Sequence, residues 1–320
     1  ILFIGTDRPF EKRVLAERAF DHEAIFVKPF KGKRIRSKLS ALAIFPWSVY
    51  LATRKIRRFK ANLVVGVGGY SAAPVAVGAW LMGIRVVIHE QNMLPGMTNR
   101  LIAKLATRIY ASFKNTRMPG DPKKIRVFGN PVRREVIEMA QRKKRTTGLM
   151  SDPLGPNQSG RFTVLILGGS QGAHAINMAM ANALKEFNGD EDIYFIHQTG
   201  AADESDMKAA YQSHSTPSMV RAFFNDVGEQ YGQADLLICR AGATTVAEAA
   251  VLGKACIFIP YPYAAENHQE LNARQLVKEG AAGMILEKDL NGKKLARLIQ
   301  YYLTHRHALK FMSDRAREFG

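Results

Sequence analysis

Residues 234–248 read ADLLICRAGATTVAE, an apolar strand pattern that passes through Gly242 and two threonines directly into a helix. Gly242 permits close approach of the backbone, Thr244 and Thr245 offer hydroxyls, and the first turn of a helix presents unpaired N–H groups with a partial positive charge. Such a junction suits a phosphorylated ligand, although α/β proteins also use it for purely structural reasons. We place Glu248 in the first helical turn, where it either caps the helix or accepts hydrogen bonds from sugar hydroxyls.

Further short apolar runs alternate with helical or loop segments along the 320 residues. They are ILFIG (1–5), AIFVK (24–28), NLVVG (62–66), IRVVI (84–88), RIYAS (108–112), IRVFG (125–129), FTVLILGG (162–169), IYFIHQTG (193–200), SMVRAFF (218–224), ACIFIP (255–260) and AAGMILE (281–287). Short β-rich runs with helices between them indicate parallel sheets.

The alternation is interrupted once, by the segment 141–161, which is rich in charge, Gly, Pro and Ser and has almost no apolar pattern. Because a chain of this length also exceeds the size of one compact core, we predict two domains, 1–140 and 162–304, joined by this linker. The fold class is α/β, with two Rossmann-like, doubly wound domains facing a cleft. In such sheets ligands bind at the carboxyl ends of the strands.

Composition excludes several classes of protein. Cys239 and Cys256 are the only cysteines and lie in apolar strand patterns, so we expect buried thiols in a reducing, cytoplasmic compartment. No apolar run reaches the roughly 18 residues that span a bilayer, and no signal peptide is visible. The chain starts with Ile1 in mid-strand, so we expect the N-terminus to be truncated.

Hydrolytic and metal chemistry is also disfavoured. The eight histidines show no HExxH pattern and no pairing at ligand spacing, so no metal and no cofactor is expected. GGSQG lacks the GxSxG pattern of serine hydrolases. Glycoside hydrolysis needs two opposed carboxylates, whereas the motif-borne Glu90 and Glu248 fall in different predicted domains.

The net charge of +18 is concentrated in the N-terminal part, since residues 1–145 hold 30 Lys/Arg against 9 Asp/Glu. No acid lies between Glu23 and Glu90, and a basic cluster occupies this interval. Its members are Lys28, Lys31, Lys33, Arg34, Arg36, Lys38, Arg54, Lys55, Arg57, Arg58 and Lys60. A field of one sign at one end of a molecule predicts an anionic surface as partner.

The apolar, Trp-bearing segment 39–52, LSALAIFPWSVYLA, lies inside this basic cluster. Basic residues that flank such a helix suit shallow insertion at a lipid headgroup boundary. No nucleic-acid docking motif accompanies the charge, so no nucleic acid is expected as partner. Alternatively, Leu39, Leu42 and Val49 face the domain core and the charges only solubilise the surface.

Five further loops follow predicted strands and carry polar or small residues. They are GVGGYSAAP (66–74), HEQNMLPGMTNR (89–100), GNPVRREV (129–136), GGSQGA (168–173) and PYPYAAENHQELNA (260–273). The glycines of GGSQGA and the helix that follows it suit a diphosphate. Amides of the last loop, at i and i+3 on one helical face, suit sugar hydroxyls. Together these loops outline a nucleotide-sugar donor site.

In this order, GGYSAAP, HEQNMLPGMTNR, GNPVR, GGSQGA, HQTG, CRAGATTVAE and PYPYAAENHQELNA resemble the MurG family, and the match spans nearly the whole chain. That family transfers GlcNAc from UDP-GlcNAc to undecaprenyl-pyrophosphoryl-MurNAc-pentapeptide. The resemblance implies a GT-B fold and inverting transfer to the C4 hydroxyl of MurNAc in lipid I, which makes lipid II for peptidoglycan. It also implies peripheral attachment to the cytoplasmic face of the bacterial inner membrane, and a helix at 305–320 that packs back toward the N-terminal domain.

Roles for individual residues follow from the resemblance. It implies that Ser170 meets the diphosphate, that the backbone of Phe224 meets the uracil, and that Asn92 meets the transferring sugar. Arg133 would reach the nucleotide, and Glu248 the ribose. The remaining donor contacts would come from Ala243, Thr244, Thr245, Val246, Ala247, Gln269 and Asn272. The membrane contacts would be Lys31, Lys33, Arg34, Phe45 and Trp47.

The chain departs from the family pattern at its start, because the glycine-rich GGTGGH loop, whose His is the usual candidate for the base, is absent. We therefore take Glu90 as the candidate general base. Ser71 also stands one place earlier than in the commoner GGYxSxP pattern. Two alternatives remain open: a related GT-B glycosyltransferase with another lipid acceptor, and a non-catalytic protein that binds sugar nucleotides.

Overall fold

A computed structural model describes residues 1–28, 35–146, 160–169, 171–187 and 192–320. The chain divides into two compact units, Ile1–Gly129 and Asn130–Gly320, and each is treated by itself below. The division falls earlier than the predicted boundary at residue 140. The reason is that the helix Arg134–Thr146 packs on two helices of the second unit, so it belongs with that unit. Most of the predicted linker, 147–159, lies outside the described residues.

The first unit alternates strands and helices, as its sequence predicts. Its strands are β1 (Leu2–Gly5), β2 (Asp21–Ala24), β3 (Leu63–Gly66), β4 (Arg85–Glu90), β5 (Arg108–Ala111) and β6 (Ile125–Val127). Its helices are α1 (Pro9–Glu17), α2 (Ile35–Phe59), α3 (Ala72–Leu81) and α4 (Met97–Ile102). All described pairings are parallel, but they form two sheets, β1-β2 and β3-β4-β5-β6, where one was expected.

Strand β2 lies before most of the segment predicted for it, 24–28. It pairs with β1 in the register Leu2↔Asp21 to Gly5↔Ala24, and the Ile25 amide still donates to the Gly5 carbonyl at 3.0 Å. The pairing stops there because β1 itself ends at Gly5. The apolar pattern therefore predicted the strand to start at residue 24, three residues after its start at Asp21 in the structure.

The core of the first unit lies between its helices and the four-stranded sheet. Helix α3 is almost wholly apolar and packs against α2 and β3. Gly78 permits the close approach of α2, because a Cβ there would lie 2.9 Å from Thr53 Oγ1. The buried side chains include Ile56 from α2, Ile88 from β4 and Ile109 from β5.

The second unit carries a six-stranded parallel sheet covered by helices. Its strands are β7 (Phe162–Leu167), β8 (Ile193–Gln198), β9 (Ser218–Arg221), β10 (Leu236–Cys239), β11 (Ala255–Phe258) and β12 (Gly283–Met284). Its helices are α5 (Arg134–Thr146), α6 (His174–Ala183), α7 (Glu204–Ser213), α8 (Val227–Gln233), α9 (Ala243–Leu252), α10 (His268–Lys278), α11 (Gly292–Thr304) and α12 (Arg306–Phe319).

The strand order β12-β11-β10-β7-β8-β9 is that of a Rossmann-type sheet. The chain winds outward from β7 to β9, then returns to the other side of β7 and continues through β10 to β12. The order therefore reverses between β7 and β10, and open α/β sheets bind their ligands at the carboxyl ends of the strands beside such a reversal. The loops that leave β7 and β10 are the GGSQGA and RAGATT loops of the sequence analysis.

Burial in this unit follows from helices on both faces of the sheet. Every residue of β7, β10 and β11 is buried, which explains their continuous apolar runs. Cys239 and Cys256 are free, fully buried thiols, as predicted. Helix α12 packs on α9 and β11 of its own unit. The expectation that 305–320 packs toward the N-terminal domain stays a prediction.

Candidate functional site

The reversal point of the second unit brings two helix N-termini to neighbouring strand ends. Helix α6 begins after the loop that leaves β7, and α9 begins directly after β10 with Gly242 as N-cap residue. The first N–H groups of each helix have no partner within the helix and carry a partial positive charge. This arrangement suits an anionic ligand.

The glycines of the loop after β7 serve two different purposes. Gly169 has φ +82°, and a Cβ there would meet no atom within 4 Å. Gly172 has φ +79°, but a Cβ there would lie 2.1 Å from the Thr199 carbonyl oxygen. Gly172 is therefore required by the packing of this loop on the end of β8, whereas Gly169 borders open space that a ligand can fill. Ser170, predicted at the diphosphate, lies outside the described residues.

A buried hydrogen-bond network lies beside this loop and includes Thr199, on which Gly172 packs. His197 Nε2 donates to Asn177 Oδ1 at 3.0 Å, so Nδ1 of the neutral ring accepts from the Tyr211 hydroxyl at 3.2 Å. Burial lowers the pKa of His197 to about 3. Asn177 Nδ2 also donates to the Thr199 carbonyl and to Asp203 Oδ2, which lies 2.6 Å away.

Asp203 connects the network to the start of α6. Its Oδ1 lies 3.0 Å from Nδ1 of His174, the first residue of that helix. Burial raises the pKa of Asp203, but the hydrogen bonds from Asn177 and His174 outweigh this effect and the pKa is lowered. The ionised carboxylate of Asp203 thus holds the side chains of Asn177 and His174 in place at the start of α6.

Glu248 lies in the second turn of α9, not in the first turn as the sequence suggested, and it does not cap the helix. Its carboxylate is 1% exposed. Arg133 binds it through both nitrogens, with Nε donating to Oε1 at 2.7 Å and Nη2 donating to Oε2 at 2.8 Å. The Tyr231 hydroxyl donates to Oε2 at 3.1 Å. The two residues predicted to contact the nucleotide are therefore partners of each other.

The physical origin of this cluster is helix packing. Arg133 directly precedes α5, which packs on both α8 and α9, and these helices supply Tyr231 and Glu248. The hydrogen bond with Glu248 raises the pKa of Arg133 against the opposing effect of burial. Burial also raises the pKa of Tyr231, so the phenol stays protonated and acts as a donor. Tyr231 was not anticipated from the sequence, because a single tyrosine in an amphipathic helix carries no signal.

The other residues predicted on α9 differ in their access to solvent. Thr244 is exposed, and Ala243, Thr245 and Ala247 are half-buried at the start of the helix. Val246 is 1% exposed and its side chain belongs to the core, so any contact of this residue with a ligand stays a prediction.

The predicted sugar-binding amides and Phe224 hold neighbouring loops together. Gln269 Oε1 accepts from the Tyr261 amide at 3.0 Å. Asn272 is fully buried and its Nδ2 donates to the Ala241 carbonyl at 3.3 Å, within the loop after β10. Phe224 is buried, and its amide donates to Gln198 Oε1 at 3.0 Å. All three positions therefore border the loops of this site, and their ligand contacts stay predictions.

In the first unit Glu90, the candidate base, holds the loop that follows β4. Its carboxylate is 1% exposed. Oε1 accepts from the amide and side chain of Asn92, and Oε2 accepts from the Gly96 amide at 3.0 Å and from Asn99 Nδ2 at 2.8 Å. A buried carboxylate with four donors is poorly placed to take a proton from an acceptor hydroxyl. The structure therefore gives Glu90 a loop-organising role, and both its role as a base and the contact of Asn92 with a sugar stay predictions.

The predicted membrane residues fall into three groups. Trp47 is 56% exposed on α2 and stacks on the exposed ring of Tyr50, with centroids 5.2 Å apart. Phe45 differs, because it is partly buried against the core of the first unit. Lys31, Lys33 and Arg34 lie outside the described residues.

Two features of the described residues bear on other classes of site. None of their helices is both long and apolar enough to cross a bilayer. In the same part of the chain, no group of three or more His, Cys, Asp or Glu side chains is placed to hold a metal ion.

Comparison with known families agrees with this fold. The N-terminal domain of glycosyltransferase family 28 matches residues 1–111, and the C-terminal domain of that family matches residues 163–320. These matches, together with the two parallel-sheet domains, define a family 28 glycosyltransferase of the GT-B type.

The relatives narrow this class. The UDP-N-acetylglucosamine–N-acetylmuramyl-(pentapeptide) pyrophosphoryl-undecaprenol N-acetylglucosamine transferase of Syntrophus aciditrophicus is 40% identical over 100% of this chain and 86% of its own length. The protein of the same name from Geobacter sulfurreducens is also 40% identical, with the same coverage. The crystal structure of Acinetobacter baumannii MurG superposes with a TM-score of 0.79 at 29% identity, over 98% of this chain and 85% of that one. The chain belongs to the MurG family of N-acetylglucosamine transferases, and the family predicted from its motifs is confirmed.

Proposed function

We propose that this protein transfers GlcNAc from UDP-GlcNAc to the C4 hydroxyl of MurNAc in lipid I, with inversion, and so makes lipid II for peptidoglycan. The observation that carries the proposal is the reversal point of the second unit, where α6 and α9 start at neighbouring strand ends and α9 carries Glu248, the partner of Arg133. The membership of the chain in the MurG family supports the identity of both substrates.

The helix N-termini supply the catalytic electrostatics of this proposal. When the bond from the anomeric carbon to the diphosphate breaks, negative charge develops on the leaving UDP. Oriented N–H groups at the two helix starts stabilise that charge without reorganising, because the fold has already set their direction. Gly169 leaves open space beside these groups for the diphosphate.

The Arg133–Glu248 pair supplies recognition of the nucleoside. Both oxygens of the Glu248 carboxylate accept from Arg133, and Arg133 is the more exposed partner, with 43% of its side chain accessible. A ribose that donates two hydroxyls to Glu248 must take the place of Arg133 on at least one oxygen. The guanidinium released in this exchange is free to bind the diphosphate bidentately. We propose that donor binding drives this exchange, while Tyr231 keeps the carboxylate in position.

The first unit supplies the membrane contact in this proposal. Leu42, Trp47 and Tyr50 are exposed apolar side chains on α2, and Arg54, Arg57 and Arg58 follow on the same helix. An aromatic face with basic residues beside it suits an anionic lipid surface. We propose peripheral attachment to the cytoplasmic face of the bacterial inner membrane, where a lipid-linked acceptor is available.

The direct test is an assay with labelled UDP-GlcNAc and lipid I, with lipid II separated and counted. Formation of lipid II that depends on both substrates supports the proposal. Transfer to a different lipid acceptor alone would identify a related glycosyltransferase. Donor binding without transfer to any acceptor would identify a non-catalytic sugar-nucleotide-binding protein.

A further inference from the structure

The segment HQTG (197–200), at the end of β8, carries a side chain that joins two loops of the proposed donor site. Gln198 is 3% exposed. Its Nε2 donates to the Gly169 carbonyl at 2.9 Å, and its Oε1 accepts from the Phe224 amide at 3.0 Å. One buried amide group therefore connects the loop after β7 with the segment after β9.

This connection lies where the sheet itself is ending. The ladders pair Leu167 with Gln198 and Gln198 with Arg221, which are the last residues of their strands. Beyond them, the Gly168 amide donates to the Gln198 carbonyl and the Gly200 amide donates to the Ala222 carbonyl, so these backbone bonds connect each loop with β8 or with the residues that follow it. The side chain of Gln198 adds a direct bridge between the loops.

The chemistry of the bridge requires an amide. The Gly169 carbonyl needs a donor and the Phe224 amide needs an acceptor, and a primary amide offers both at one chain end. Both partners are backbone groups whose direction decides the shape of their loops. Because the bridge is buried, water does not replace either hydrogen bond if the side chain is changed. A substitution therefore leaves a backbone group of each loop without its partner.

We propose that Gln198 is a positioning residue that couples the diphosphate loop to the base-binding segment, so that occupation of one by donor favours occupation of the other. The residue touches neither the base nor the diphosphate. It acts through Gly169 and Phe224. This inference rests on the proposed donor site and adds a mechanism by which the two ends of the nucleotide are bound together.

The substitution Gln198→Glu tests the bridge with pH as the variable. At pH 8 the carboxylate still accepts from the Phe224 amide but has no proton to donate to the Gly169 carbonyl. Protonation restores an O–H donor, and burial beside a carbonyl oxygen raises the pKa of the introduced carboxyl. The measured quantity is the UDP affinity of the variant divided by that of the parent, obtained by calorimetry at each pH. At pH 8 the variant should bind UDP about tenfold more weakly than the parent, a loss within the usual range of coupling between sites. At pH 5.5 the two affinities should be nearly equal.

The matched control is Gln212→Glu, which makes the same change at an exposed position on α7. The UDP affinity of this control should stay close to that of the parent at both pH values. A Gln198→Glu ratio near unity at pH 8, or a loss that does not recover at pH 5.5, would overturn the coupling. A parent that binds no UDP would instead refute the proposed donor site, and the inference with it.

Hydrogen–deuterium exchange on the unmodified protein supplies a second measurement that does not depend on the folding of a variant. Inorganic diphosphate alone should slow exchange in peptides that contain Phe224, and uridine alone should slow exchange in peptides that contain Gly169. If each ligand protects only its own loop while UDP protects both, the two loops respond independently and the proposal fails.

Discussion

Replacement of Glu248 by Gln is the sharpest test of the nucleotide site that we propose in the second unit. The change keeps the size of the side chain but removes its charge and one acceptor oxygen. In the unliganded protein it breaks one of the two bonds from Arg133, which are 2.7 and 2.8 Å long. Since Arg133 is partly exposed, water compensates for part of the loss, and we expect unfolding to become easier by about 1–2 kcal/mol.

The effect on binding should exceed the effect on folding. If Glu248 accepts both ribose hydroxyls, Glu248→Gln weakens UDP binding at least about tenfold, or roughly 1.4 kcal/mol. The assay is calorimetric titration of parent and variant with UDP and with 2′-deoxy-UDP, together with urea unfolding. The missing 2′-hydroxyl should cost the parent more affinity than it costs the variant, because only the parent has the carboxylate that receives it.

The matched control is Glu138→Gln, which alters an exposed carboxylate on α5 that pairs with Arg134 at 2.8 Å. It should change neither affinity nor stability measurably. Equal UDP affinity of parent and Glu248→Gln, or an equal penalty for the deoxynucleotide in both, would refute the ribose role and leave Glu248 as a structural partner of Arg133.

Three further predictions address the loop, its support and the membrane surface. Gly172→Ala should destabilise the fold by about 3 kcal/mol or more in urea unfolding, since its Cβ would lie 2.1 Å from a carbonyl oxygen. Gly169→Ala should cost only about 1 kcal/mol in the same measurement, but it should weaken UDP binding. The pKa of His197 is lowered to about 3, so between pH 6.5 and 3 this residue takes up a proton in the unfolded chain but not in the folded state. The free energy of unfolding should therefore decrease by up to about 1.4 kcal/mol for each unit by which the pH is lowered through this window. His197→Gln should flatten this dependence in unfolding curves. Trp47→Ser should reduce sedimentation with anionic vesicles several-fold, because the exposed indole is removed from the basic, apolar face of α2.

Each of these predictions has a control or a result that would contradict it. Equal stability of Gly172→Ala and Gly169→Ala would show that packing on β8 does not decide the loop. A pH dependence in His197→Gln as steep as in the parent and in the control variant His307→Gln, which changes an exposed histidine, would remove His197 as the cause. Trp80 on α3 is similarly exposed but has no basic residue on its helix, so an equal loss in Trp80→Ser would argue against a specific α2 surface.

Much of the architecture could be predicted from local pattern. Apolar runs of strand length located the strands, and the glycine-rich segments located the loops at their ends. Strand β2 shows the limit of this reasoning. The apolar segment 24–28 looked like the strand, but the end of β1 at Gly5 decided where pairing stops.

The sequence named residues for the candidate site but did not show the contacts that these residues make within the protein. Glu248, Arg133, Gln269 and Asn272 were all assigned to a ligand, yet in the structure each binds another part of the protein. Glu90 was assigned to proton transfer, but four donors surround its carboxylate. A polar residue at a strand end has the same local signal whether it binds a ligand or the adjoining loop, so sequence alone did not separate these roles.

By itself, the sequence determined the α/β class, the two-domain order, the glycine loops and the family, because these depend on periodicity and on motifs within short segments. Only the tertiary structure decided that Arg133 meets Glu248 and that Gln198 bridges Gly169 and Phe224. Those contacts join residues far apart in the chain, and they exist because α5 packs on α9 and β8 lies between β7 and β9. Distances of this kind are set by the packing of whole elements, which no local pattern records.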